Sequence, residues 1–305
     1  NPILMKLDIL GCYAATPRSL TNPTSQVLTM QNQMFLIDCG EGTQVQLRKN
    51  KIKFGKIEHI FISHLHGDHF YGLIGLISTF MLLNREKELH VYGPKGIKEV
   101  ILLQLKLSKA WTPYPLYFHE LTSTQPEKIY ENEKLSVETI PLKHRVYTNG
   151  FLFKEKQGDR KLLVEEARKY KIDVALFKSL KKGKDVISEE GKLIKNELVT
   201  ESGDAPKSYA FCSDTVFSEE IIPQLSNIDV LYHESTFLQE QLKLTDPTKH
   251  STAMQAATIA KQANVKQLIL GHYSTRYPDI KLFKIEAEQV FPNVLLAEDG
   301  KTLEF

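Results

Sequence analysis

The chain has 305 residues, 42% hydrophobic and 25% charged, with a formal net charge of +2. That length supports one large core or two ordinary domains, and the balance describes a soluble globular protein. No run of about 18 apolar residues occurs and the N-terminus lacks a signal-peptide layout, which excludes a spanning helix and points to the cytoplasm. Three scattered cysteines, Cys12, Cys39 and Cys212, suit a reducing compartment and exclude a disulfide framework, and the small net charge leaves any polyanion binding to local patches.

Met5, Leu7 and Ile9 alternate with Lys6 and Asp8, which predicts a half-buried strand ending at Gly11. Residues 27–30 and 34–38 read as a hairpin turning at 31–33. Gly40, Glu41 and Gly42 break it, and Thr43 is placed to cap a short helix towards Lys49. No GK[ST] follows this glycine pair, so a tight turn accounts for it better than a phosphate cradle.

Residues 61–72, FISHLHGDHFYG, place His64, His66, Asp68 and His69 within one turn's length of chain. Imidazole and carboxylate hold borderline metals such as Zn²⁺, and four such groups so close together cannot all serve packing. The residues before are apolar and β-branched, and those from 70 to 83 are long enough for a helix, which puts the polar groups on a strand-to-helix turn. Gly67 permits the turn, so that His64 and His66 can face one ion while Asp68 and His69 face another. A histidine-rich surface loop would not need an Asp locked between Gly67 and His69 after a buried strand.

A short strand at 90–92 leads through Gly93, Pro94 and Gly96 into a helix over 97–109. Residues 114–121 and 128–140 read as further strands, the second broken by a turn at 131–134, and His144 lies just beyond Pro141. Local sequence makes His144 a candidate ligand by position only. From 154 to 203 apolar residues thin out and charges of both signs crowd in, with Lys178, Lys181, Lys182 and Lys184 beside Gly183. This reads as an insertion with a helical portion near 162–170 and a basic tip, for which a solvated charged helix pair is the simpler local account and a nucleic-acid contact the sharper one.

Strands at 209–212, 229–232 and 268–270 then end in Asp214, in His233 and Glu234, and in Gly271 and His272. With His64 after 60–62, four apolar strands deliver an acid or histidine where they stop, the end at which α/β sheets present their sites. His250, Ser251 and Thr252 precede alanines spaced for a helix packed closely on a sheet; Ser251 or Thr252 can be its cap, and His250 is less easily explained by packing. A helix over 280–290 and a hairpin of 294–297 with 302–305 around 298–300 close the chain. Two ions about 3.5–4 Å apart can acidify a water and stabilise charge on phosphoryl and leaving oxygens, which fits phosphodiester hydrolysis. A bridging ligand must be a carboxylate, and Asp214 is the best placed.

SHLHGDH at 63–69 resembles the signature of the metallo-β-lactamase superfamily. DCGEGTQ at 38–44, CSDT at 212–215, HEST at 233–236, HST at 250–252 and LGH at 270–272 narrow the resemblance to the ribonuclease Z family of tRNA 3′-processing endonucleases. The resemblance implies an α/β metallo-β-lactamase fold, a four-layer αβ/βα sandwich over 1–305 with a projecting arm at 152–205 that grips tRNA in a homodimer. It implies that His64, His66 and His144 hold one Zn²⁺, that Asp68, His69 and His272 hold the other, and that Asp214 bridges them, although Mn²⁺, Fe²⁺ or Co²⁺ accept similar ligands. Asp68 would orient or deprotonate the attacking water, and Glu234 with His250 would protonate the leaving 3′ oxygen. The implied substrate is precursor tRNA, cut after the discriminator base to leave a 3′ hydroxyl, with Lys178, Lys181, Lys182 and Lys184 as candidate RNA contacts.

The chain departs from the family pattern where Val174, Ala175, Leu176 and Phe177 replace a glycine-proline element of the arm. It departs again at 16–25, where Pro17 and Asn22 are kept without the usual spacing. A general or cyclic-nucleotide phosphodiesterase on the same fold is the nearest alternative, and an RNA-binding protein with structural metals is a more distant one.

Overall fold

The structure, a computed structural model, describes residues 5–305. In chain order the strands are β1 (Lys6–Gly11), β2 (Ser25–Met30), β3 (Gln33–Cys39), β4 (Ile57–Phe61), β5 (Leu89–Pro94), β6 (Leu116–Leu121), β7 (Lys128–Glu131), β8 (Leu135–Leu142) and β9 (Thr148–Glu155). They continue as β10 (Lys161–Leu162), β11 (Val186–Ile187), β12 (Leu193–Ile194), β13 (Thr200–Glu201), β14 (Ser208–Cys212), β15 (Val230–Glu234), β16 (Gln267–Gly271), β17 (Val294–Leu296) and β18 (Thr302–Glu304). One seven-stranded sheet has the order β18-β1-β2-β3-β4-β5-β6 and the other β17-β16-β15-β14-β9-β8-β7. In each, one half of the sheet is parallel, with helices between its strands, and the other half is antiparallel.

The two sheets pack face to face. Phe35, Ile37, Phe61 and Tyr92 from the first meet Val137, Phe151, Phe153 and Phe211 from the second. The opposite face of the first sheet is also apolar, with Leu36, Ile60 and Val91 buried under the helices Thr43–Lys49, Leu73–Leu82 and Ile97–Leu107. Burial on both faces is what makes β3 apolar in consecutive residues, Phe35, Leu36 and Ile37, rather than in alternate ones. On the second sheet Ala256, Ala257 and Ala260 let the helix Ala253–Gln262 lie close to β15 and β16. The result is the four-layer sandwich that the resemblance implied, with the parallel strand ends of both sheets opening on one seam.

Several local expectations change. The last two strands do not form a hairpin: β17 pairs with β16 in the second sheet, whereas β18 pairs with β1 in the first. The turn between them crosses the seam, where Asp299 accepts hydrogen bonds from the Cys12 and Asn22 amides, at 3.0 and 2.7 Å. The β2–β3 turn takes only Gln31 and Asn32, both at positive φ, and Gln33 already belongs to β3. Gly42 at φ 82°, not Thr43, precedes the first short helix, and Thr252 rather than Ser251 caps Ala253–Gln262, in a capping box with Gln255.

The insertion begins later than 152, because Leu152 to Glu155 still belong to β9, with Leu152 paired to Ala210 and Lys154 to Ser208 on β14. Its two ends are therefore hydrogen-bonded neighbours in the second sheet. Beyond them it folds on a small core of its own, Ala167, Ile172, Leu180, Val186, Ile194 and Val199, closed by the β10–β13 and β11–β12 pairs. Val174–Leu176 forms a turn of 3₁₀ helix leading into the helix Phe177–Lys181. Of the four lysines at this tip, Lys182 is paired with Asp159 at 2.6 Å, while Lys178, Lys181 and Lys184 make no ion pair among the described residues.

Candidate metal centre

The centre lies where β4, β14, β15 and β16 stop. After β4 the chain runs through Ser63 and His64 to a one-turn helix, Gly67–Phe70, that carries Asp68 and His69. This turn sits directly on the glycine turn after β3: Gly72 donates its amide to the Cys39 carbonyl at 2.9 Å, and a Cβ at Gly72 would collide with the Gly40 carbonyl. Two glycine-containing turns are thus required for backbone to meet backbone. Asp214 follows β14 and His272 follows β16, both with positive φ, 25° and 58°. Residues other than glycine held in that region concentrate at functional sites, where surrounding contacts must hold them.

The sequence-predicted ligands fall into two groups of four, with Asp214 in both. In the first, His66 Nδ1 is 3.1 Å from His64 Nε2 and 3.1 Å from His144 Nε2, and Asp214 Oδ2 is 3.5 and 3.7 Å from those two Nε2 atoms. In the second, His69 Nε2 lies 3.3 Å from Asp68 Oδ2 and 3.3 Å from Asp214 Oδ1, and His272 Nε2 lies 3.6 and 3.1 Å from the same two oxygens. Ligands about 2.0–2.2 Å from a tetrahedral ion stand roughly 3.3–3.6 Å from one another. The observed spacings are those of donor atoms arranged around two common points, with one oxygen of Asp214 turned to each.

The donors also fit divalent cations chemically. His69 Nε2 and His272 Nε2 are buried with no hydrogen-bond partner in line, which suits lone pairs aimed at an ion. Burial works against a charged His69, but Asp214, Asp68 and Asp38 outweigh it and push its pKa well above the ordinary range. The pocket therefore demands positive charge at this place, which a divalent ion supplies in exchange for the proton. Burial and neighbouring imidazoles depress His64 and His66, and burial brings His144 down to about 4, leaving three neutral rings as ligands need to be.

The other ring nitrogens are fixed by partners that sequence reading did not assign. Asp38, buried and at φ 56°, accepts hydrogen bonds from His69 Nδ1 at 2.6 Å, from the Ser63 hydroxyl at 2.7 Å and from the Ser63 amide at 2.7 Å. That hydroxyl in turn faces His64 Nδ1 at 2.9 Å, so one carboxylate orients an imidazole of each group. His144 donates Nδ1–H to the Lys249 carbonyl at 2.8 Å, and Thr236 Oγ1 stands 2.9 Å from His272 Nδ1. The signal for Asp38 was present: β3 also ends in an acid, inside the DCGEGTQ stretch.

Glu234 and His250 are together but not equivalent. Glu234 is fully buried and accepts five hydrogen bonds, from the Thr215, Thr236 and Ser251 amides, the Thr236 hydroxyl and His250 Nδ1. Burial opposes its ionisation, yet the His250 charge and hydrogen bond hold its pKa low, and the same pairing overcomes burial to raise that of His250. His250, not Glu234, lines the cavity of about 410 Å³ over the centre, together with Asp68, Arg145, Asp214, His272 and Arg276. A second hollow of about 510 Å³, lined by Pro17, Asn22, Glu41 and Tyr71, shares Ala14, Ala15, Gly67 and Asp68 with it. The lysines of the insertion tip line neither.

This fold and donor set define a divalent-metal hydrolase of the metallo-β-lactamase fold. A family model described as "Anti-Pycsar protein Apyc1" matches residues 5–187, a span that stops short of Asp214, Glu234, His250 and His272. Similarity to curated relatives runs further: ribonuclease Z of Bacteroides fragilis is 46% identical over 295 residues, 97% of each chain. Human tRNase Z, short form, superposes with a TM-score of 0.71 at 26% identity, covering 98% of both chains. The metallo-β-lactamase fold protein YhfI of Bacillus subtilis, 18% identical with a TM-score of 0.69 over 99% of this chain and 100% of its own, shares the fold. The chain belongs to the ribonuclease Z family, whose members are metal-dependent endoribonucleases.

Asp38→Asn keeps the shape of the carboxylate but loses its charge and one acceptor. Its expected effect is about 10- to 100-fold weaker metal affinity with the far-ultraviolet spectrum retained, measured by competition with a chelator. Unchanged affinity would show that Asp38 does not orient the ligands.

Proposed function

We propose that this chain removes the 3′ trailer of precursor tRNA, using two Zn²⁺ ions held by His64, His66 and His144 on one side and by Asp68, His69 and His272 on the other, with Asp214 between them. The observation that carries this reading is the division of the two Asp214 oxygens between the two donor groups. Ions bound there would acidify a water and draw charge from the phosphoryl and leaving oxygens.

The residues divide the remaining work. Asp68 lines both hollows with a carboxylate kept ionised, where burial is outweighed by the nearby His69 and His272 rings; it orients the attacking water and takes its proton. The water oxygen bonds to phosphorus as the bond from phosphorus to the 3′ oxygen breaks. His250, charged by its pairing with Glu234 and facing the cavity, gives a proton to that oxygen, so the tRNA keeps a 3′ hydroxyl and the trailer keeps the phosphate. Glu234, with every lone pair engaged, positions and charges His250 rather than meeting the substrate.

The insertion between β9 and β14 is the arm that holds the tRNA, with Lys178, Lys181 and Lys184 as its free cations and Lys182 partly neutralised by Asp159. Phosphates on a shape-matched RNA surface need only such lysines. A homodimer fits the apolar side chains left uncovered near the ends of two outer helices, Leu82, Leu107 and Trp111, each 73–75% exposed. A cytoplasmic location fits three buried, unpaired thiols, and no helix among the described residues is long and apolar enough to cross a membrane.

The deciding experiment maps the product ends of a precursor tRNA bearing a 3′ trailer. A single cut beside the discriminator base, abolished by chelation and slowed about 10²- to 10⁴-fold in Asp68→Ala that still binds metal, is the expected outcome. Hydrolysis of small phosphodiesters without that cut would replace it by the phosphodiesterase reading. Replacing Lys178, Lys181 and Lys184 by alanine should weaken tRNA binding and lower its salt slope by about one per contact, sparing small diesters, whereas Lys182→Ala alone should do less. Equal losses on both substrates would remove the exosite. Light scattering should give twice the 34.9 kDa chain mass, falling to the single-chain value in Leu107→Glu with Trp111→Glu; a wild-type monomer sinks the dimer.

A further inference from the structure

Imidazoles gather at one other place. His59, His90 and His119 stand on the neighbouring parallel strands β4, β5 and β6. His59 stacks on His90 with ring centroids 5.1 Å apart, His90 stacks on Tyr117 at 5.0 Å, and His119 lies flat against Tyr92 at 4.3 Å. His59 is covered from the second sheet by Tyr130 of β7, at 4.4 Å. β6 and β7 are the outermost strands of their sheets, and no ring of the second sheet covers His119, which is exposed.

The geometry between two of these rings is that of a ligand pair. His90 Nδ1 and His119 Nε2 are 2.9 Å apart, and the other nitrogen of His90, Nε2, lies 3.2 Å from Glu88 Oε1. A carboxylate beside Nε2 favours the tautomer that carries its proton there, which leaves the Nδ1 lone pair free for a metal. Burial and the neighbouring His90 depress the pKa of His119, which keeps its ring neutral near pH 7. Two nitrogens about 2.0 Å from one ion, and about 90° apart around it, stand roughly 2.8 Å from each other.

We propose that His90 and His119 bind a borderline divalent transition-metal ion, with Glu88 behind His90 and water completing the coordination, at a site separate from the catalytic centre. Imidazole donors select copper, nickel and zinc over magnesium and calcium. Two protein ligands at an exposed place make the site weak, filled when such ions are abundant. The bound ion ties the outermost strand β6 to β5 beyond their hydrogen bonds. His59 serves as the floor of the site, since its Nδ1 faces the Tyr92 hydroxyl at 3.4 Å. A hydrogen bond between two neutral rings gives the same 2.9 Å spacing, and ion binding separates the two accounts.

The test titrates Cu²⁺ into the protein as isolated, with its resident ions counted before and after and the copper read by electron paramagnetic resonance. One further equivalent per chain, showing nitrogen hyperfine coupling and no loss of resident ions, is expected. His119→Ala, which removes a ligand, should weaken it at least about tenfold. Because His119 is exposed, the variant should keep the parent melting temperature without copper and the parent activity. No further equivalent, copper that only displaces resident ions, or binding untouched by both His119→Ala and His90→Ala overturns the proposal.

Discussion

Two buried carboxylates, Asp38 and Asp214, and the half-buried Asp68 meet five imidazoles, His64, His66, His69, His144 and His272, at one seam, and such a cluster is tolerable only around positive charge. The groups come from both sheets: Asp38 and the 64–69 turn from the first, His144, Asp214 and His272 from the second. Whatever satisfies the cluster therefore also joins the sheets. Metal binding and docking of the two halves are linked equilibria in this fold.

The same economy separates the carboxylates whose oxygens are engaged from the groups that reach the cavity. Asp38 and Glu234 are both buried with their oxygens fully engaged, and each works through an imidazole. Asp68 and His250 reach the cavity. Positive φ at Asp38, Asp214 and His272 shows how much surrounding structure this costs, because each is met by hydrogen bonds or close contacts from elements distant in sequence.

What the sequence made legible follows from locality. Strands that end in an acid or a histidine can be read one at a time, and so can a turn that packs three imidazoles and a carboxylate into six residues. Asp38 was visible as an acid at a strand end, but its role exists only because His69, 31 residues on, folds back over it. The closing strands misled for the converse reason. Alternation around Glu298, Asp299 and Gly300 is what a hairpin looks like locally, and only the pairing of β17 with β16 and of β18 with β1 parts the two strands. Lysine spacing likewise suggested four equivalent cations at the tip, and a carboxylate 23 residues earlier distinguishes Lys182.

The insertion illustrates how such distant contacts set one unit of the chain apart from the rest. Its ends are fastened side by side where β9 and β14 pair, and the Glu155 amide donates to the Lys207 carbonyl at 2.9 Å. Its small core shares no residue with the larger two. A change at Val174 to Phe177 is therefore confined by that clamp: it can alter how the tip presents its lysines without moving Asp214, which sits at the far end of β14 from the clamp. The candidate ligands gather at the seam between the sheets, whereas the insertion hangs from the pairing of β9 with β14 inside the second sheet. On this architecture a change in the tip sequence leaves the candidate centre, at the other end of β14, in place.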